Sequence, residues 1–296
     1  MRGVVVALGN FDGVHIGHQS VVRRAVEEGR ERGLRVVAAT FDPHPRAILA
    51  PGSEPKLLTT PEVRRELLLA YGADEVYKIR FDYELSKRSP EEFVRKVLVA
   101  MLDTTVVVVG ESFRFGYKAA GGFGDLQRWM RETGGEAIAV PTYALGEAVS
   151  STKIRALLLK GEAREAARLL GRSYFLRGEV VAGDKRGRLL GFPTANVLPD
   201  ERVLVPGRGV YAGHARVGKD SYGACINIGV APTFERQDSR VESYLLGFHG
   251  NLYGRVVDVS FVERLRPEKR FSGIDELKAR ISQDIAQARE IVENGA

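Results

Sequence analysis

Short apolar runs rich in β-branched residues alternate with segments of helical spacing along the first part of the chain. The run VVVALG at 4–9 is followed by helical spacing at 17–32, and the run at 35–41 repeats the pattern. The run TTVVVVG at 104–110 has no polar alternation, which is typical of a strand buried on both faces. This alternation predicts a Rossmann-like parallel sheet wrapped by helices.

Cap signals and periodicity predict the other elements of this part. Thr60 before Pro61 indicates a helix start, and Ser89 with Glu92 indicates a capping box. We expect helices at 60–72, 89–102, 124–134 and 151–161, and strands at 75–81 and 136–141.

The sequence changes its character near residue 172. Runs typical of strands, separated by glycine-rich turns, lie at 174–183, 209–218, 222–230, 240–248 and 255–265. Apolar residues then recur at helical spacing over 274–293. This half predicts a small antiparallel β-barrel with a C-terminal helix. We therefore expect an α/β protein with two domains, 1–172 and 173–296.

Composition narrows the class of protein. The 296 residues are 44% hydrophobic and 28% charged, and no apolar segment approaches the span of a bilayer, so we expect no membrane partner. The single cysteine, Cys225, cannot form an internal disulfide, and the start of the chain lacks a signal-peptide pattern. We expect a cytoplasmic protein. The net charge of +6 fits an anionic ligand, either a nucleotide or nucleic acid.

The segment GNFDGVHIGH at 9–18 joins the first strand to the first helix. Ligands of parallel sheets bind at the carboxyl ends of strands, and the start of a helix favours anions. His15 and His18 can donate hydrogen bonds to phosphate from one helical turn. The alternatives are a turn with incidental histidines, or a zinc site completed by Asp12 or His44.

Two more segments carry groups suited to nucleotide chemistry. Ser150, Ser151 and Thr152 cap a predicted helix, and Arg155 offers a fork for phosphate oxygens; the alternative is an ordinary cap followed by a solvated arginine. In GFPTAN at 191–196 two oxygen-bearing side chains lie two residues apart, and the alternative is a proline turn before a strand.

Both halves resemble one known family. GNFDGVHIGHQ, TFDPHP at 40–45, GESFRFGYKAAG at 110–121 and VSSTKIR at 149–155 resemble the adenylyltransferase module of bacterial bifunctional riboflavin kinase/FAD synthetases. GFPTAN, INIGVAPTF at 226–234, VESYLLGFHGNLYG at 241–254 and RLRPEKRF at 264–271 resemble its kinase module. The resemblance covers nearly the whole chain.

For the first domain, the resemblance implies transfer of AMP from ATP to FMN, giving FAD and pyrophosphate, with His15 and His18 as catalytic residues. The family usually has Asn or Asp where this chain has Ser112. The nucleotide-binding residues that it implies are Gly9, Asn10, Phe11, Asp12, Gly17, Ser151, Thr152 and Arg155. The flavin-binding residues that it implies are Ser112, Phe113 and Arg114.

For the second domain, the resemblance implies transfer of the ATP γ-phosphate to riboflavin, giving FMN and ADP. Thr194 and Asn196 would hold Mg²⁺, Gly187 and Asn196 would bind the nucleotide, and Asn227 would contact the flavin. Glu242 would be the catalytic base, and chemistry supports a base here because a ribityl alcohol is a poor nucleophile. The alternative is that Glu242 is an exposed glutamate on a strand, without a catalytic role. The partners expected are small molecules, without nucleic acid.

Two rival hypotheses stay open at this stage. The barrel could bind RNA, because aromatic and basic residues interleave in it: Tyr174, Phe175, Arg177, Tyr211 and Arg216. Alternatively, only one of the two halves is active.

Overall fold

The computed structural model describes residues 3–141, 148–183, 187, 190–230, 239–269 and 271–294. Contacts divide the chain into two compact units, Met1–Ser151 and Thr152–Ala296. The sequence instead predicts a domain boundary at residue 172, and that boundary stays a prediction. No helix in the described ranges is both long and apolar enough to cross a membrane.

The first unit is built on a sheet of five parallel strands, as the sequence predicted. In space the order is β3-β2-β1-β4-β5. The strands are β1 Val4–Leu8, β2 Arg35–Asp42, β3 Glu75–Arg80, β4 Thr104–Gly110 and β5 Glu136–Val140. The direction of winding reverses between β1 and β4, so the loops after these two strands meet at the switch point where such sheets bind ligands.

Helices cover both faces of this sheet. They are α1 Ile16–Arg32, α2 Pro45–Leu49, α3 Pro61–Ala70, α4 Tyr83–Ser86, α5 Pro90–Glu92 and α6 Phe123–Glu132. One core joins Val5 and Ala7 to residues of α1, and the other joins Val6 and Leu8 to Phe93 and to residues of α6. Successive strand residues thus enter opposite cores, which explains the unbroken apolar runs.

The helix predicted at 89–102 has the predicted start but a different body. The Ser89 hydroxyl accepts from the Glu92 backbone N–H at 3.2 Å, and the Glu92 carboxylate accepts from the Ser89 N–H at 3.1 Å, which confirms the capping box. After Glu92 the chain is π-helical over Phe93–Val99, short of the predicted end. The left-handed φ of 52° at Asp103 closes the turn that leads into β4.

Among its described residues, the second unit has helices on either side of a closed antiparallel barrel along the chain. The helices are α7 Ser151–Lys160, whose first residue belongs to the first unit, α8 Ala163–Leu170 and α9 Ile274–Asn294. The barrel order is β10-β7-β6-β11-β8-β9. Its strands are β6 Tyr174–Val181, β7 Ala195–Pro199, β8 Gly209–Val217, β9 Asp220–Val230, β10 Ser239–Leu245 and β11 Val256–Arg266. The barrel and its C-terminal helix were predicted and α8 was not; a strand after the proline of GFPTAN, where β7 lies, was given only as an alternative interpretation.

Helix α9 packs one face on the barrel. Ile285, Ala288 and Val292 contact a cluster that includes Cys225 of β9. The prediction of this apolar face is therefore confirmed in the later turns of the helix. At the start of the helix Ile274 is 64% exposed, so the predicted face does not reach that far.

Candidate active sites

The loop between β1 and α1 has an unusual backbone. Phe11, Gly13 and Val14 have left-handed φ values of 50°, 82° and 41°. Such values are uncommon for residues other than glycine and need support from their surroundings. Phe11 and Val14 supply it, because both side chains are buried in the core under the loop.

Asp12 ties this loop to the segment before α3. Its carboxylate accepts hydrogen bonds from the backbone N–H groups of Leu58 at 3.0 Å and Thr59 at 3.2 Å, and it is only 2% exposed. The Gly13 N–H donates to the Thr59 hydroxyl at 3.1 Å. These contacts of Asp12 fix the conformation of the loop. Its role in nucleotide binding stays a prediction.

The two histidines lie together at the start of α1. The Nδ1 of His15 accepts from the His18 backbone N–H at 3.3 Å, and the two rings stack with centroids 3.6 Å apart. A Cβ at Gly17 would lie 3.2 Å from the His15 ring, so a larger residue would crowd it. The hydroxyl of Ser151 donates to the Asp12 carbonyl at 2.9 Å, which brings this predicted residue to the same loop.

The loop favours an uncharged imidazole at His18. Burial lowers the pKa of His18 well below its ordinary 6.5, and the neighbouring His15 and Arg64 lower it further. His18 as a whole is half-buried, but its Nδ1 is fully buried and has no hydrogen-bond partner in the described part of the chain. His15 uses Nδ1 as an acceptor, so its neutral form carries the proton on Nε2. His15 can therefore donate a hydrogen bond without being charged.

Arg64 is a residue of this site that the sequence analysis missed. Its guanidinium is buried under the loop and donates from Nη1 to the Asn10 carbonyl at 3.1 Å. Asn10 itself is exposed. The available signal was the position of Arg64 on the apolar face of α3, beside Val63 and one turn before Leu68.

The residues predicted to bind flavin follow β4. Ser112 is exposed, and the half-buried Phe113 stacks on Phe115 with ring centroids 5.7 Å apart. Arg114 donates to the carbonyls of Ala119 and Ala120 at 3.1 and 3.3 Å, so it holds its own loop.

Thr152 and Arg155 were predicted for the first site, but their contacts assign them to the second unit. Thr152 is exposed and Arg155 is half-buried, both on α7 directly after Ser151. Their predicted contacts with the nucleotide stay predictions.

The segment at 9–18 that carries His15 and His18 is called the histidine loop below. The zinc alternative for this loop gains no support. Within the described ranges, no three or more His, Cys, Asp and Glu side chains are grouped so that they could hold a metal ion. His44 instead caps α2, where its Nδ1 accepts from the Arg46 N–H at 3.2 Å.

In the second unit, strand pairing places three predicted residues in one row. Glu242 of β10 lies directly opposite Asn196 of β7 on one side and Asn227 of β9 on the other. Residues directly opposite each other share a face of the sheet, so these three side chains project from the same face. Nothing in the local sequence specifies this alignment.

Two cavities adjoin this row. One, of about 770 Å³, is lined by Glu242 and Asn227 and by apolar residues of α9: Leu277, Ile281 and Ile285. The other, of about 990 Å³, is lined by Asn196 with Ser243, Phe248 and His249. Thr194 and Tyr244 line both cavities. Gly187, predicted to bind the nucleotide, lines the cavity of Glu242.

Asn196 has an oxygen suited to a ligand. Its Oδ1 is buried and has no hydrogen-bond partner among the described residues. Its amide packs against the backbone of Gly183, where a Cβ would fall 2.3 Å from Nδ2, so glycine is required there. A buried acceptor of this kind fits a cation that prefers oxygen ligands, such as Mg²⁺.

A buried ion pair fixes α9 beside the smaller cavity. Arg266 of β11 donates to both carboxylate oxygens of Asp284, at 2.7–3.1 Å, and Arg280 contacts the same carboxylate at 3.0 Å. Cys225 lines this cavity, and burial, with the nearby charge of Asp284, raises the pKa of its thiol to about 12. The thiol is therefore protonated and inert at neutral pH.

Comparison with protein families agrees with the two-part organisation. Residues 1–153 match the family described as FAD synthetase, and residues 170–292 match the family described as riboflavin kinase. The bifunctional riboflavin kinase/FMN adenylyltransferase of Listeria monocytogenes is 38% identical, covering 96% of this chain and 91% of the relative. That of Escherichia coli K12 is 37% identical, covering 98% and 93%.

A solved structure shares the whole architecture. The crystal structure of a macrolide-efflux protein from Streptococcus pneumoniae has a TM-score of 0.89 and 31% sequence identity, covering 97% of this chain and 94% of that one. Its name refers to efflux, whereas both family matches and the curated relatives concern flavin enzymes. The chain therefore belongs to the family of bifunctional riboflavin kinase/FMN adenylyltransferases.

Proposed function

We propose that this chain converts riboflavin to FAD in two ATP-dependent steps; its relatives are named riboflavin kinase/FMN adenylyltransferases, and its first part matches FAD synthetases. In the first step the γ-phosphate of ATP passes to riboflavin, giving FMN and ADP. In the second step AMP passes from ATP to FMN, giving FAD and pyrophosphate. The substrates are thus small molecules, and the cytoplasmic location expected from the sequence stays a prediction.

The kinase step uses the two cavities of the second unit. The 770 Å³ cavity, with its apolar α9 wall, suits the flavin ring, and the 990 Å³ cavity suits ATP. Glu242, which lines the flavin cavity, accepts the proton of the ribityl hydroxyl as that oxygen attacks the γ-phosphorus and ADP leaves. Thr194 lines both cavities, which supports a role for its hydroxyl between the two substrates.

Thr194 and Asn196 are the residues that would hold Mg²⁺. The unpartnered Oδ1 of Asn196 supports this assignment. When bound, the cation neutralises negative charge on the transferring phosphate.

The adenylyl transfer needs no base, because the attacking phosphate of FMN is already anionic. An oxygen of that phosphate attacks the α-phosphorus of ATP, and pyrophosphate leaves. His15 and His18 donate hydrogen bonds to the phosphates, and the backbone N–H groups at the start of α1 add to them. Ser112, Phe113 and Arg114 are the candidates for contact with the flavin.

The observation that carries the proposal is the row formed by Asn196, Glu242 and Asn227 beside the two cavities. Substitution of Glu242 tests it. Glu242→Gln should lower FMN formation about 10²- to 10⁴-fold, the usual contribution of a general base. FAD formation from supplied FMN should stay at the parent rate. Both are followed by chromatography of the flavins.

Matched variants complete this experiment. Glu179→Gln removes an exposed glutamate from β6 of the same barrel and should leave both rates unchanged. His15→Ala with His18→Ala should give the reverse result, with FMN formed and FAD lost. A Glu242→Gln variant that still makes FMN at the parent rate, or that loses both activities, would contradict the assignment.

The RNA-binding alternative is not favoured by the contacts of its residues. Tyr174 and Tyr211 are buried in the barrel core, so their rings are not on the surface for stacking with bases. Arg177 and Arg216 both pair with the carboxylate of Asp258. Interleaved aromatic and basic residues here reflect a barrel interior and an ion-pair cluster.

A further inference from the structure

Arg64 is a buried cation at the base of the histidine loop. Its residue is only 4% exposed, on the face of α3 that also buries Val63 and Leu68. Burying a guanidinium is costly unless it is hydrogen-bonded. An apolar residue would fit the pattern of this helix face better. Stabilisation of the fold therefore does not by itself explain why an arginine occupies this position.

The guanidinium joins three elements at one point. Its Nη1 donates to the carbonyl of Asn10 at 3.1 Å and lies 3.4 Å from the hydroxyl of Thr40, at the end of β2. Thr40 donates its own hydroxyl to the same carbonyl at 2.9 Å. The Nη2 lies 3.8 Å from Oδ1 of Asp12. The Asn10 carbonyl directly precedes Phe11, the first left-handed residue of the loop.

Arg64 also acts on His18 through its charge. It is one of the groups that lower the pKa of His18, after burial and after His15. The other charged group at the base of the loop is the carboxylate of Asp12, which the structure holds on backbone donors of 58–59. The guanidinium thus influences both the backbone of the loop and the imidazole at its end.

We propose that Arg64 is a positioning residue for adenylyl transfer: it fixes the Asn10 carbonyl and thereby keeps the two imidazoles and the loop backbone aligned on the ATP phosphates. The proposal rests on the proposed function of this loop. Arginine suits the position because its planar fork can reach Asn10, Thr40 and Asp12 together, which a lysine ammonium cannot.

Two substitutions and one control test the proposal in the full chain. Arg64→Met keeps an apolar side chain of similar length but removes the charged guanidinium. Arg64→Lys keeps the positive charge but loses the planar, forked guanidinium. Arg65→Met is the control, because Arg65 is the next residue and is exposed. The readouts are kcat and KM for FAD formation from FMN, the rate of FMN formation, and the NMR pH titration of His18.

The expected result separates geometry from charge. Arg64→Met should lower kcat for FAD formation about 100-fold, the size of effect expected from misplacing catalytic groups by about 1 Å. It should also raise the pKa of His18 towards 6.5. Arg64→Lys should keep the low pKa of His18 and still lower kcat about tenfold. FMN formation should stay within about twofold of the parent rate in all three variants, and Arg65→Met should match the parent throughout.

Other outcomes would overturn the proposal. A kcat within about threefold of the parent in Arg64→Met would show that the loop does not need this residue. If Arg64→Met fails to fold, Arg64→Lys decides, and a parent-like kcat there overturns the proposal. A parent chain that forms no FAD from FMN would instead reject the proposed function, so the two failures are distinguishable.

Discussion

Single residues of the histidine loop combine a chemical role with the support of a strained backbone. His18 is held uncharged because its ring is buried beside His15 and Arg64. Its neutral form fits a donor of hydrogen bonds to phosphate better than a charged acid would, because no charge has to be buried when the site is empty. The protonation of His18 should therefore be visible in the stability of the first unit.

The pH dependence of unfolding follows from the sign of this shift. Because the pKa of His18 is lower in the folded state than in the unfolded state, its contribution to stability is complete above about pH 6.5 and is lost as the pH falls below that value. The loss is at most about 1.4 kcal/mol per pH unit. The measurement is urea unfolding at pH 7.5, 6.5 and 5.5, followed by the fluorescence of Trp129, the only tryptophan, which lies in the first unit.

The comparison is with His18→Gln, which cannot titrate. The difference between parent and variant in the free energy of unfolding should shrink as the pH falls. A difference that is the same at all three pH values would mean that His18 is protonated to the same extent in both states.

Contacts between residues that are distant along the chain could not be predicted from the sequence. The local pattern and the family resemblance pointed to the histidines, the glycines and Ser151, and the structure brings His15, His18 and Ser151 to one loop. Arg64 was missed, and so were the contacts of Asp12 with Leu58 and Thr59, because these partners are more than 40 positions apart along the chain and meet only when the sheet has formed.

Elements were predicted well where periodicity was strong. The five parallel strands, α1, α3 and α9 follow from apolar runs and helical spacing. Strand β7 was given only as an alternative interpretation because it is five residues long and follows a proline, and the π-helical body after Glu92 has no signature in the residue pattern. Strand order in the barrel, which aligns Glu242 with Asn196 and Asn227, depends on long-range pairing and is not encoded locally.

The ion pair that joins α9 to β11 gives a prediction at this scale. Asp284→Asn leaves the largely buried Arg266 and the half-buried Arg280 without their carboxylate, and breaking a buried pair such as that of Arg266 costs about 3–5 kcal/mol. Because both Arg266 and Asp284 line the flavin cavity, KM for riboflavin should rise as well. The measurements are KM and the temperature at which kinase activity is half lost.

The control for this variant is Asp275→Asn, in the exposed first turn of the same helix. It should leave both quantities close to those of the parent. Parent-like values for Asp284→Asn would mean that the ion pair does not hold α9 against the barrel.

The whole molecule carries two sites of different chemistry in two units. In the described part of the first unit, the proposed site offers imidazole and backbone donors, as suits attack by a phosphate that is already anionic. The second offers a carboxylate and oxygen ligands, as suits attack by an alcohol. Residues 170–292 match riboflavin kinases, which form FMN, and residues 1–153 match FAD synthetases, which use it, so FMN formation precedes FAD formation.

The most direct test of this account is a time course of the purified chain with riboflavin, ATP and Mg²⁺, with the flavins separated by chromatography. The account predicts that FMN appears first and that FAD then accumulates while pyrophosphate is released. Riboflavin that stays unchanged, or FMN that accumulates without any FAD, would contradict it.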